Sequence, residues 1–100
     1  MATTCEHDAR RARLVVRGEL DAESSPAFRL EALEALRDGA TDLVVDLRLV
    51  KFLNSTALGV LLELARLCRR FGGQLVIEQP SRAARMPIEA LGLDRVLTIR

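Results

Sequence analysis

Residues 43–77 read LVVDLRLVKFLNSTALGVLLELARLCRRFGGQLVI. Leu43-Val44-Val45-Asp46-Leu47 is too apolar for a strand with one wet face, so it reads as a short buried strand. A loop is expected around Arg48 to Phe52. From about Ser55 to Arg70 the spacing turns helical, with Asn54 or Ser55 as the cap. Gly72-Gly73 stops that helix, because glycine takes the left-handed conformation beyond a helix end. Leu75-Val76-Ile77 is then a second apolar strand.

The same alternation extends in both directions. Leu14-Val15-Val16 leads into Gly18-Glu19-Leu20-Asp21, a strand ending in a turn. Ser24 or Ser25 before Pro26 marks a helix start, and Phe28, Leu30, Ala32, Leu33 and Leu36 continue it to Asp38-Gly39. Pro80-Ser81 opens a weaker third helix that Pro87 limits or distorts, and Gly92 closes it. Val96-Leu97-Thr98-Ile99 is a last strand. Residues 1–9 are polar and form a tail or a short edge strand. Strands alternating with helices indicate an α/β fold (α+β in some schemes) with partly parallel pairing.

Composition narrows the function. One hundred residues support one core. Fifteen basic against fourteen acidic residues leave a formal charge of +1, a poor match for coating nucleic acid or an anionic membrane. Without Trp or Tyr, the core must be aliphatic. The N-terminus lacks the apolar stretch of a signal or anchor, and no run is long enough to span a bilayer. Cys5 and Cys68 stand in unrelated contexts without metal-ligand spacing, so a reduced, cytoplasmic protein without cofactors is expected.

On a helical wheel Gly59, Glu63, Arg66 and Arg70 share one stripe, with Thr56 at its edge. Ala57, Leu58, Leu61, Ala65 and Cys68 face the sheet. Val60, Leu62 and Leu67 flank the stripe, to be covered by a partner or by neighbouring helices. Gly59 costs roughly 1 kcal/mol relative to Ala in a helix. The fold either tolerates that cost, or another surface needs the missing side chain. Ser55 and Thr56 are either ordinary cap residues or a phosphorylation site. A phosphate of about −2 charge suits a helix N-terminus but is costly to bury in an interface. A nucleophilic role for Ser55 lacks a base, since the lone histidine is His7 in the polar tail. There is no G-x-S-x-G elbow and no phosphate-binding glycine loop. Catalysis is therefore not expected.

Over residues 10–100, in order, the chain resembles the STAS family of bacterial anti-sigma factor antagonists. Gly18-Glu19-Leu20-Asp21 resembles the family's G-E-L-D turn, and Leu43 to Leu47 its hydrophobic-D-L strand. Phe52-Leu53-Asn54-Ser55-Thr56-Ala57-Leu58-Gly59 resembles its F-h-D-S-S/T-G-L-G signature, where h is apolar. Gly72-Gly73 and Leu91-Gly92-Leu93 are also similar. Asn54 stands where Asp is common, and Ala57 where Gly is. The resemblance implies a single small mixed sheet packed against three or four helices, acting by partner switching. An anti-sigma factor serine kinase would be bound, would phosphorylate Ser55 (Thr56 being the alternative), and a PP2C-type phosphatase would reverse it. It implies a partner surface of Asp21, Asn54, Thr56, Leu58, Gly59, Leu62 and Glu63, with room for a weak homodimer. The alternative is a STAS interaction module of a stress-signalling or lipid-transport assembly.

Overall fold

In the computed structural model, which describes residues 1–100, β3 (Asp42–Leu53) lies at the centre of a five-stranded sheet. On one side of it are β1 (Ala2–Asp8) and β2 (Arg11–Leu20); on the other are β4 (Leu75–Glu78) and β5 (Thr98–Ile99). β1 and β2 form an antiparallel hairpin, and every other pair is parallel. Parallel neighbours need crossovers. These are α1 (Ser25–Arg37), α2 (Ser55–Arg70), and α3 (Arg82–Ala90) followed by a single 3₁₀ turn.

Side-chain alternation gives the sheet two unlike faces. Ala12, Leu14 and Val16 on β2, Leu43, Val45 and Leu47 on β3, and Leu75 and Ile77 on β4 are buried in one aliphatic core. Phe28, Ala32, Ala35 and Leu36 of α1 and Ala57, Leu58, Leu61, Leu64, Ala65 and Cys68 of α2 join them. On the opposite face, Arg13 Nη2 binds Asp46 Oδ2 at 2.8 Å and Glu78 Oε1 at 2.7 Å, tying β2, β3 and β4 together. Asp46 is buried there, and its other carboxylate oxygen accepts the Arg48 N–H at 2.9 Å.

Several expectations are corrected. The segment Arg48 to Phe52 is not a loop: β3 runs on to Leu53, because its second half pairs with the second half of β2. The register shifts twice along that pairing, which breaks the period of two in the sequence. The last strand shrinks to Thr98–Ile99, since the Val96 and Leu97 N–H groups donate to the Leu93 carbonyl of the 3₁₀ turn Leu93–Arg95. Helix α3 continues past Pro87 to Ala90, with Ser81 accepting the Ala84 N–H as its cap. Of the two alternatives for residues 1–9, a tail or a short edge strand, the structure shows the edge strand, over the seven residues of β1.

Gly73 has a reason that spacing alone did not show. A Cβ there would run into the Thr41 carbonyl and lie 2.7 Å from Asp42 Oδ1. The chain passes close to itself at that point.

Candidate functional site

Parallel strands followed by helices direct their C-terminal ends and the helix N-termini to one end of the sheet. Leu20 and Leu53, the last residues of β2 and β3, are register partners. The Asn54 N–H donates to the Leu20 carbonyl at 3.3 Å. The Gly18 to Asp21 turn and the start of α2 are thereby stitched side by side, although more than thirty residues separate them in the chain.

Asn54 has extended backbone, and its Oδ1 accepts the Ala57 N–H at 3.1 Å. It is the side-chain cap of α2, satisfying one of the unpaired amides of the first turn. Ser55 and Thr56 follow as the first two helical residues, both exposed and neither used as the cap. Gly59, one turn on, is exposed as well.

The β2–α1 turn is organised by a carboxylate. Asp21 Oδ1 accepts the backbone N–H groups of Glu23 and Ser24 and the Ser24 hydroxyl, all at 3.0 Å. Hydrogen bonding from Ser24, first through its backbone and then its side chain, holds the Asp21 carboxyl below the usual range. Of Ser24 and Ser25, Ser24 takes the N-cap position of α1, but its hydroxyl makes no capping bond and stays within the turn, accepting the Asp21 N–H at 2.9 Å. Beside the turn is a hollow lined by Met1, Glu19, Asp21, Glu23 and Ser24, so its rim is acidic.

The residues named from sequence do not all reach the surface. Leu58 is only 2% exposed and belongs to the core, so it is removed from the partner surface. Leu62 is half-buried and packs against the same core, as do Val60 and Leu67. Glu63 is held by Arg29 of α1 through two hydrogen bonds, 2.8 Å from Nε to Oε1 and 2.7 Å from Nη2 to Oε2. That bidentate pair keeps the Glu63 carboxyl below its ordinary value. Arg29 was not anticipated, since a bridge between helices 34 residues apart leaves no local pattern. Ser24 could have been found, because Asp followed three residues later by Ser is a turn signal. Phe52 is 49% exposed beside the site, on the part of β3 taken for a loop.

His7 lies elsewhere. It pairs with Ala12 at the far end of β2 and contacts the Ala9 carbonyl at 3.1 Å. The strand from Ala12 to Leu20 spans about 26 Å at 3.3 Å per residue. Burial pushes the Cys68 thiol up to about 11, and its side chain is in the core. No group of three or more His, Cys, Asp or Glu side chains is placed to ligate a metal. No helix is long and apolar enough to cross a membrane.

A family model described as "Mlab, STAS domain" matches residues 3–99, nearly the whole chain. The chain belongs to the STAS family. Among curated proteins, this STAS chain is 31% identical over 84 residues to an anti-sigma-B factor antagonist of Bacillus subtilis (strain 168), covering 84% of this chain and 76% of that one. Among solved structures, an anti-sigma factor antagonist from Mycobacterium paratuberculosis is 28% identical with a TM-score of 0.86, covering 98% of this chain and 83% of the other. The anti-sigma factor antagonist SpoIIAA in its unphosphorylated form shares the fold at 21% identity and a TM-score of 0.85, covering 99% and 88% of the two chains. Its phosphorylated form, a Bacillus cell fate determinant, superposes at 0.77 over 99% and 91%.

Proposed function

We propose that this STAS domain is an anti-sigma factor antagonist. It binds an anti-sigma factor serine kinase in the cytoplasm while Ser55 is unmodified, and lets go when Ser55 carries a phosphate. The observation that carries this reading is the division of labour at the start of α2: Asn54 caps the helix, leaving an exposed Ser55 hydroxyl without a structural task. The curated relative in Bacillus subtilis, an anti-sigma-B factor antagonist, supports the choice of partner.

In this mechanism the kinase supplies the catalysis. The Ser55 oxygen attacks the γ-phosphorus of ATP, the bond to ADP breaks, and the hydroxyl proton passes to a base on the kinase. The domain needs no base of its own, and its lone histidine is at the far end of the sheet. The phosphoserine dianion then faces unpaired amides of the first turn of α2, so the fold survives modification. Buried against a partner, the same charge has to be stripped of water, which opposes binding. Hydrolysis by a PP2C-type phosphatase restores the hydroxyl.

The test is to incubate the purified protein with ATP and each anti-sigma factor serine kinase of its source genome. Mass spectrometry is expected to find one phosphate on Ser55, and none on Ser55→Ala. Ser55→Asp is expected to bind the kinase more weakly by calorimetry. Phosphate on Ser55→Ala would move the site to Thr56, and no kinase binding at all would remove the reading.

A further inference from the structure

The two edges of the sheet are unlike. β5 ends it with two residues, whereas β1 presents all seven of Ala2–Asp8. β1 holds no proline or lysine, and its register with β2 runs unbroken, so it lacks several devices that blunt an exposed edge. Antiparallel strands alternate hydrogen-bonded and non-bonded pairs. Asp8 and Arg11 flank the two-residue turn of the hairpin and start that alternation as a bonded pair. Ala2, Thr4, Glu6 and Asp8 therefore bond inward to β2. The N–H and carbonyl groups of Thr3, Cys5 and His7 point outward, with no strand beyond them.

Those free groups complement a second copy of the same strand. When two β1 strands run antiparallel with Cys5 opposite Cys5, Thr3 of each copy faces His7 of the other. This register alone pairs all three outward-facing residues within the strand. It also sorts the charges. On the outer face of the sheet Thr4 meets Glu6 of the second copy and Ala2 meets Asp8, so no carboxylate faces a carboxylate. Arg17 is the register partner of Ala2, and its Nη1 donates to Thr4 Oγ1 at 3.3 Å. It therefore stands behind both positions that Glu6 and Asp8 of the second copy would face. β2 and the β1 of the second copy would be about 10 Å apart, a gap that an arginine and a glutamate side chain span together. Within one domain the ion pairs are those of Arg13, Arg29 and Arg48, while Arg17, Glu6 and Asp8 are exposed and take part in none.

We propose that two copies of the domain associate through β1, antiparallel about a two-fold axis at Cys5, joining two five-stranded sheets into one. Backbone hydrogen bonds supply the attraction, and the contacts of Arg17 fix the register. The parallel strands of the two copies run in opposite senses, so their Ser55 sites lie at opposite ends of the joined sheet. The pairing does not depend on the antagonist reading.

The experiment is sedimentation velocity over a concentration series, with cross-linking of the dimer by bismaleimidoethane. Wild type is expected to dimerise and to cross-link through Cys5, the exposed thiol, Cys68 being buried. His7→Pro removes an outward N–H while sparing the bonds to β2, and is expected to abolish both signals. Arg17→Glu is expected to weaken dimerisation about tenfold, since each dimer carries the change twice. Adding Glu6→Arg to Arg17→Glu is expected to restore part of that loss, which a merely structural role for Arg17 would not allow. Wild type without self-association tighter than about 1 mM would overturn the proposal. Dimerisation of both His7→Pro and Arg17→Glu within twofold of wild type would overturn it too, by placing the contact elsewhere. A dimer that does not cross-link at Cys5 would overturn the register and the proposal with it.

Discussion

The Asn54 side chain accepts the Ala57 backbone N–H at 3.1 Å, so the residue before Ser55 closes the first turn of α2. Ser55 could have taken that place, since serine and asparagine cap almost equally well. Because asparagine does, the serine can be modified without uncapping the helix.

Removing the cap should show directly in stability. Asn54→Ala is expected to lower unfolding stability by about 1 kcal/mol in urea titrations, and Asn54→Asp to leave it nearly unchanged. Loss of stability in Asn54→Asp as large as in Asn54→Ala would mean that the cap is not what Asn54 contributes.

Arg13 is the junction of the sheet's outer face, and its removal should be visible in pH titrations. Its hydrogen bond holds the Glu78 carboxyl below the ordinary value of 4.5. A depressed carboxyl stabilises the fold above its unfolded pKa, and that contribution fades as pH falls through the folded value. Arg13→Ala is therefore expected to cost about 1–3 kcal/mol at neutral pH, discounted because Arg13 is about one-third exposed. The deficit relative to wild type should shrink as pH drops below about 4.5. A deficit that stays constant from pH 7 to pH 3 would show that the loss is packing rather than charge.

Gly73 and Gly59 should respond oppositely to the same methyl group. Gly73→Ala is expected to destabilise by about 1–3 kcal/mol, because the new carbon must displace the Thr41 backbone. Denaturant unfolding of Gly73→Ala no weaker than wild type would show that β3 and the α2–β4 turn can part there freely.

What sequence reading captured depends on whether the signal was local. Helix α2 runs from Ser55 to Arg70, where the spacing and the glycines put it, since both limits are written within its own residues. Wheel geometry also placed Gly59 and Arg66 outside and Leu61 and Cys68 inside. The second half of β3 was missed because Arg48 and Lys51 interrupt the apolar pattern, while the pairing that holds it comes from β2. Leu58 was placed on the partner surface although the wheel turns it inward, and the structure buries it. The resemblance puts Asp21 on a binding surface; in the fold its Oδ1 accepts three hydrogen bonds within its own turn, an arrangement that the G-E-L-D pattern alone does not reveal.

The mismatch in length between β3 and β4 has a consequence for association. β4 pairs only with Leu43 to Asp46, so the rest of β3 would present unpaired backbone on that side. Ser81 occupies the gap, its N–H donating to the Leu47 carbonyl at 3.1 Å and its hydroxyl to the Val50 carbonyl at 2.6 Å. Helix α3 follows, burying Ala84 and Ile88. A strand edge of this kind invites foreign chains to add themselves to the sheet. Here a helix cap stands in for the missing strand, so the polypeptide that delivers Ser55 to the surface is shielded on that side from unwanted strand-to-strand aggregation.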